Sequence, residues 1–276
     1  MNRIVLTRSI SPVIPIIGIP LKGFNNIFIA TKTNCGCFLR ASYRMVRCSR
    51  TSNRQIEDKA KDVTFYIGNY LNTMLSDLAD LCVEGYSSIE CDCPVPDIVA
   101  FVMGSTEVMI NMLRVKRIEY EDYLKVFAAL DGKFWQVEPS YIAALRCAYM
   151  FQEACICRDV DDIVRLGNIQ AAINPIGEIP CSTSNTCLEV HSPFDTPTTS
   201  YILKFTSHVA SLVAQDIVND KRISEQTLKH LHLLYGIETT LVLETHNATD
   251  LELGNMLRLK PIADISSVRL YTIEIQ

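Results

Sequence analysis

Acidic residues are missing from the first 56 positions of this 276-residue chain, although the same stretch contains nine lysines and arginines. The rest of the chain holds all 31 aspartates and glutamates together with 17 of the 26 basic residues. This asymmetry indicates an anionic partner for the N-terminal segment, a targeting segment, or attraction of the segment to the acidic body. The 48% apolar content is typical of a globular protein that buries a core.

Long apolar runs are also missing. No stretch reaches the roughly 20 uninterrupted apolar residues that a membrane span needs. The first 21 residues lack the continuous apolar region and the small-residue cleavage site of a secretory signal. We therefore expect no membrane span and residence in the cytoplasm.

The motifs of the common enzyme classes are absent. The chain has no G-x-S-x-G elbow, no Cys/His signature, no G-x-x-x-x-G-K phosphate loop and no G-x-G-x-x-G, and it contains only 11 glycines. His230 and His232 fall in a predicted helix, where residues two apart face different sides and do not form a joint ligand pair. These absences predict a protein that is not an enzyme, with no catalytic residues and no cofactor.

The 11 cysteines are an odd number, which argues against a closed disulfide framework. Without a secretory signal we expect reduced thiols that pack as small buried hydrophobes. Three C-x-C pairs occur, at Cys35/Cys37, Cys91/Cys93 and Cys155/Cys157. Zinc sites usually space their ligands C-x₂₋₄-C, so we predict no metal site.

Apolar residues recur at three-to-four spacing over most of the body, which predicts helices. These helices cover residues 57–82, 97–113, 122–130, 139–157, 160–173, 200–219 and 224–235. Short strands are predicted at 4–6, 27–31, 237–245 and 267–275 from β-branched content and partial alternation. The fold class is therefore mainly α: a helical body with a short extended or β N-terminal segment and a small β element at the C-terminus.

Composition divides the chain into four parts. Residues 1–56 form the basic, acid-free N-terminal segment, and residues 57–173 form a helical core domain. Residues 174–197 are rich in proline, serine and threonine, which is typical of a linker or loop. Residues 198–276 hold a helical pair followed by strands.

Arginines cluster near the end of the basic segment. Pro12, Pro15 and Pro20 exclude a helix from the first twenty residues. A set of arginines follows at spacings of three to four, and these would share one helical face and contact phosphate if that stretch is helical. The set is Arg40, Arg44, Arg47, Arg50 and Arg54. A solvated segment packed on the body and an organellar presequence, which is also poor in acids, stay open as alternatives.

The single tryptophan, Trp135, lies between two predicted helices and is followed by Pro139 and Ser140. Together with the apolar stretches at 124–130 and 142–151 and Arg158-Asp159, this order resembles the central region of phlebovirus-like nonstructural NSs proteins. The resemblance covers about residues 124–166. It implies a non-enzymatic protein that captures host proteins and blunts the interferon response, with Trp135, Pro139 and Ser140 as scaffold.

Three hypotheses about function follow. The first is a viral nonstructural protein that binds host proteins and antagonises innate immunity in the host cytoplasm or nucleus. The second is an RNA- or DNA-binding nucleocapsid or coat protein that uses the arginines of residues 40–54. The third is an accessory subunit imported into a mitochondrion or plastid after removal of an N-terminal transit peptide.

Overall fold

The computed structural model describes residues 3–18, 26–47, 81–92, 97–116, 127, 138–180, 189–191, 196–220, 224, 226–227, 240–244, 258–260 and 267–275. Within these ranges the chain forms twelve strands and three helices. Their order is β1 (Ile4–Ile10), β2 (Val13–Ile17), β3 (Phe28–Thr33), β4 (Cys37–Arg47), β5 (Leu81–Cys91), α1 (Asp97–Lys116), α2 (Pro139–Phe151), β6 (Ala154–Asp159), β7 (Asp162–Gly167), β8 (Gln170–Pro180), β9 (Glu189–His191), α3 (Thr196–Asp220), β10 (Thr240–Glu244), β11 (Arg258–Lys260) and β12 (Ser267–Ile275).

The strands form two principal sheets. The smaller sheet is antiparallel, with the order β1-β4-β5. The larger sheet has seven strands in the order β10-β12-β8-β3-β6-β7, and β2 also pairs with β3. Its strand pairs are antiparallel except for β3 and β8, which run parallel. A short pair, β9 with β11, stands apart from both sheets.

Alternation along the strands assigns each face of the larger sheet to a different helix. Phe28, Ala30, Cys155 and Cys157 belong to the core that α1 and α2 share with the smaller sheet. Their neighbours in the same strands lie in a second core with α3: Ile29, Ala154 and Ile156 with Val209, Ala210, Val213 and Ile217. The layers are therefore the smaller sheet, helices α1 and α2, the larger sheet, and α3.

The prolines of the N-terminal segment are compatible with this arrangement. Pro15 lies inside β2, where the register with β3 shifts between Pro15 and Ile17. Proline lacks an amide donor and is tolerated at such irregularities. The same residue type that excludes a helix thus occupies a strand here.

The predicted mainly α fold class is wrong, because about half of the described chain is strand. The predicted helix 139–157 ends at Phe151, where Gln152 adopts φ 55, and β6 follows. The predicted helix 160–173 is β7 and the start of β8, and β8 also takes the first residues of the predicted linker. A short apolar run is compatible with both the helical and the strand period. The cross-strand pairing of Cys157 with Ile163 between β6 and β7 stabilises the strand form here.

Other predicted elements are confirmed. Helices occur at Asp97–Lys116 and Thr196–Asp220, and strands at Ile4–Ile10, Phe28–Thr33, Thr240–Glu244 and Ser267–Ile275. The predicted helix 57–82 lies outside the described residues except for its last two positions, which begin β5. Most of the predicted helices 122–130 and 224–235 also lies outside them.

Membrane spans were predicted to be missing. In the described ranges, no helix combines the length and apolar character required to cross a membrane.

Candidate functional site

A group of polar side chains lies in the core between β1, α1 and α2. Its members are Arg8 from β1, Thr106 and Glu107 from α1, and Arg146 and Tyr149 from α2. We refer to these five residues as the Arg146 cluster. Helical periodicity explains their meeting, because residues 146 and 149 are three apart and share one face of α2.

Glu107 accepts hydrogen bonds from two sides. Nη1 of Arg8 donates to Oε1 at 2.9 Å and to Oε2 at 3.0 Å. The hydroxyl of Tyr149 donates to Oε1 at 2.7 Å. The Glu107 side chain is 5% exposed whereas that of Arg8 is 52% exposed, so Arg8 marks the solvent side of the cluster.

Tyr149 is held in its protonated form. Burial raises its pKa well above the ordinary value of 10, and the charge of Glu107 and the hydrogen bond to it raise the pKa further. The charge of Arg8 acts in the opposite direction but is the smallest of these contributions. The hydroxyl therefore remains a donor to Glu107 at neutral pH.

Arg146 is the innermost charge. It is 0% exposed and is among the largest fully buried side chains of the described chain. Its Nη1 donates to Oγ1 of Thr106 at 2.9 Å, and the Thr106 hydroxyl in turn donates to the carbonyl of Val102. Burying a guanidinium costs several kcal/mol unless other groups compensate it, so such residues are concentrated at structural networks and functional sites. The five residues contain two guanidiniums and one carboxylate.

Three thiols lie beside the cluster in the same core: Cys147, Cys155 and Cys157. Burial raises the pKa of Cys147 to about 12, although the charge of Arg146 lowers it in part. Burial raises the pKa values of Cys155 and Cys157 as well, and the neighbouring Cys147 contributes. These are neutral thiols packed as hydrophobes, as expected from the sequence. Because they lie on a strand, Cys155 and Cys157 share one face.

One cysteine expectation is wrong. Cys37 and Cys91 are directly paired across β4 and β5 and form a disulfide bond, and Cys35 is also disulfide-bonded. The sequence separation of 54 residues concealed this pairing. In the part of the chain that the structure describes, no group of three or more histidines, cysteines or carboxylates is arranged to hold a metal ion.

The predicted phosphate-contacting stripe does not form as a helical face, because Arg40, Arg44 and Arg47 lie on strand β4. Arg40 and Arg44 are exposed on the outer face of the smaller sheet, and Arg40 lies 5.1 Å above the ring of Phe38. Arg44 is opposite Glu84 in the register. Arg47 is the last residue of β4, and Arg50 and Arg54 lie outside the described residues.

The predicted scaffold motif is described only in part. Pro139 is the first residue of α2, as predicted, because proline suits the first turn of a helix. Ser140 is buried, and its hydroxyl lies 3.4 Å from Oε1 of Glu138. Trp135 lies outside the described residues, as do His230 and His232. The resemblance to NSs proteins therefore stays a prediction.

Sequence reasoning missed the whole Arg146 cluster. A signal was present, because Arg146 interrupts the apolar stripe of α2 and Glu107 is the only charged residue between Asp97 and Arg114 in α1. A charged residue on the apolar face of a helix needs a buried partner. The partners come from other elements, however, and only the fold brings them together.

Comparisons with known proteins place the fold. No family model matches the chain, and no curated protein matches it either. Mevalonate pyrophosphate decarboxylase from Streptococcus pyogenes is similar, with a TM-score of 0.50, 8% identity, and coverage of 99% of this chain and 91% of that chain. The Staphylococcus aureus mevalonate diphosphate decarboxylase gives a TM-score of 0.47, 10% identity, and coverage of 98% and 88%. Mevalonate kinase from methicillin-resistant Staphylococcus aureus gives a TM-score of 0.42 and 11% identity, with coverage of 97% of this chain and 90% of that chain.

The likeness to the Streptococcus pyogenes protein shows a shared fold, that of the GHMP kinases. At 8% identity it shows nothing beyond the fold. A shared fold does not decide whether this chain is an enzyme, so the sequence-based prediction that it is not one is neither confirmed nor overturned. None of these comparisons tests the viral, nucleic-acid or organellar hypotheses.

Proposed function

We propose that this chain is an enzyme of the GHMP kinase fold that acts on a phosphorylated small molecule, with the Arg146 cluster binding the anionic group. The observation that carries the proposal is the complete burial of Arg146. The fold supports the class, since the similar protein from Streptococcus pyogenes is named for a pyrophosphorylated substrate.

The guanidiniums of the cluster supply the donor groups that an anionic ligand needs. Arg8 donates to Glu107, and Nη1 of Arg146 donates to the hydroxyl of Thr106. A guanidinium presents a planar set of donors that matches phosphate and carboxylate oxygens. In a low-dielectric core its attraction for an anion is stronger than at the surface.

The two guanidiniums of the cluster differ in their exposure to solvent. Arg8 is half exposed while Arg146 is enclosed, so an anion arriving from solvent meets Arg8 first. Glu107 holds Arg8 in place through its two oxygens. Because Arg146 is 0% exposed, an anion can reach it only if the packing around it opens.

The test is a substrate panel with the purified full-length chain. Mevalonate, phosphomevalonate and mevalonate pyrophosphate are each incubated with ATP and Mg²⁺, because phosphoryl transfer needs a donor and a metal. Products are identified by mass spectrometry. We expect at least one phosphorylated compound to be converted, and the Arg146→Gln variant to lose this conversion. Arg158→Gln is the matched control, since Arg158 is exposed and pairs with Asp162 on the surface.

A wild-type chain that neither converts nor binds any phosphorylated compound would contradict the proposal. The host-protein and imported-subunit hypotheses remain predictions, which affinity purification with mass spectrometry of partners and termini can test. The nucleic-acid hypothesis requires a gel shift that weakens steeply with salt.

A further inference from the structure

The disulfide bond between Cys37 and Cys91 closes one end of the β4–β5 ladder. Cys37 is the first residue of β4 and Cys91 the last residue of β5, and they are direct partners in the register. Beyond them the amide of Asp92 donates to the carbonyl of Gly36 at 2.8 Å. A Cβ at Gly36 would lie 2.8 Å from Oδ2 of Asp92, so a larger residue there would require the Asp92 carboxylate to move.

The Cys37 side of the bond is fixed to the larger sheet. The turn that leads into β4 is tied to that sheet by two backbone hydrogen bonds. The amide of Thr33 donates to Pro12 at 2.7 Å, and the amide of Asn34 donates to Ala171 at 3.0 Å. Cys37 therefore lies at the junction of the two sheets.

The Cys91 side of the bond leads to the Arg146 cluster. Helix α1 begins at Asp97, shortly after β5 ends, and it carries Thr106 and Glu107. The disulfide thus ties the last residue of β5 to the junction of the sheets.

The two sulfurs differ in accessibility. Cys37 is 3% exposed, whereas Cys91 is only partly buried. Cys35, two residues from Cys37, is partly exposed and is also disulfide-bonded. A disulfide with one reachable sulfur can exchange with external thiols, since exchange depends on access to the attacked atom.

We propose that the Cys37–Cys91 disulfide is a thiol-controlled clamp, whose reduction by a dithiol loosens the end of β5 and the start of α1 from the sheet junction. This goes beyond the proposed function and does not depend on the identity of any substrate. The clamp would make the structure of this region sensitive to external thiols, whereas the free thiols of the described chain are buried.

The exchange balances as follows. A thiolate of the dithiol attacks Sγ of Cys91, a new S–S bond forms, and Cys37 leaves as a thiolate that takes up a proton. The second thiolate of the dithiol attacks the other sulfur of the dithiol, which is bonded to Cys91 in the mixed disulfide. This step releases Cys91 as a thiolate, which is protonated in turn. Two electrons pass to the protein, and the dithiol is oxidised to a cyclic disulfide.

The test compares amide hydrogen exchange of the full-length chain before and after reduction with dithiothreitol. We expect reduction to accelerate exchange at least tenfold in residues 88–92 and 97–103, with residues 154–171 unchanged. Peptide mapping after alkylation, across glutathione ratios that a cytosol spans, should show Cys37 and Cys91 passing from disulfide to thiol.

The Cys37→Ser/Cys91→Ser double variant is the matched control, because it retains Cys35 and every buried thiol. This variant should show fast amide exchange in residues 88–92 and 97–103 both before and after reduction. Any change in exchange that dithiothreitol still causes in it belongs to the Cys35 disulfide. Unchanged exchange in the reduced wild-type chain would overturn the proposal, as would cysteines that stay bonded at every glutathione ratio. Both of these outcomes are measured on the wild-type chain and do not require the variant to fold.

Discussion

Two buried tyrosines give opposite predictions for the same substitution. Tyr149 donates its hydroxyl to Glu107 at 2.7 Å. Tyr43 is 2% exposed, and among the described residues its hydroxyl has no hydrogen-bond partner. Tyr149→Phe removes a hydrogen bond to a charged acceptor and should cost about 2 kcal/mol. Tyr43→Phe removes an unsatisfied hydroxyl and should leave the free energy of unfolding unchanged or raise it by up to about 1 kcal/mol.

The difference should depend on pH in a defined direction. Burial raises the pKa of Tyr43 from 10.0 to about 12, and burial and Glu107 raise that of Tyr149 further. Below pH 10 each tyrosine is protonated in both the folded and the unfolded chain, so its full contribution to stability is present. Above pH 10 the unfolded chain ionises first, and each tyrosine lowers stability by about 1.4 kcal/mol per pH unit until its folded pKa is reached. The deficit of Tyr149→Phe should therefore shrink by about 1.4 kcal/mol at pH 11.

Urea unfolding of the wild-type chain and both variants at pH 8 and pH 11 measures these differences. At pH 8 the free energy of unfolding of the Tyr149 variant should be about 2 kcal/mol lower than that of the wild-type chain, and that of the Tyr43 variant should not be lower. Equal losses in the two variants would refute the reasoning, because they would mean that the Glu107 hydrogen bond contributes nothing. A Tyr149 deficit that stays constant with pH would refute the raised pKa.

Three further predictions concern the disulfide, a turn and the buried thiols. Under oxidising conditions the free energy of unfolding of the Cys37→Ser/Cys91→Ser variant should be about 4 kcal/mol lower than that of the wild-type chain, because the bond closes a loop with a sequence separation of 54 residues. An unchanged denaturant midpoint would contradict the presence of the bond. Gly18→Ala should lower the melting temperature by several degrees or more, because Gly18 has φ +113 and a Cβ there would overlap the ring of Phe28. The three buried thiols should resist iodoacetamide in the native chain and react after unfolding, and rapid native labelling would contradict their raised pKa values.

The elements that could be predicted from sequence are those whose periodicity is long. Helix α3 buries Val209, Val213 and Ile217 at helical spacing over 25 residues, which no strand pattern imitates. Helix α1 is comparable, with its apolar stripe beginning at the predicted position. Length made these periodic signals decisive.

The strands after α2 could not be predicted in the same way. Ile163 and Val164 suit either period over so short a run, and the cross-strand pairing with Cys157 and Ile156 is not visible in local sequence. The Arg146 cluster could not be predicted from the sequence for a related reason. Arg8 and Glu107 are 99 residues apart, and only the packing of β1 against α1 reveals their contact.

The measurement that tests the central claim most directly is calorimetric titration of the full-length chain with inorganic pyrophosphate and with mevalonate pyrophosphate. We expect the wild-type chain to bind, and Arg146→Gln to bind at least about tenfold more weakly, since removing one charge-assisted hydrogen bond costs about 1.5–3 kcal/mol. The Arg158→Gln control should bind like the wild-type chain. Equal affinity in the Arg146 variant, or no binding by the wild-type chain, would contradict the account.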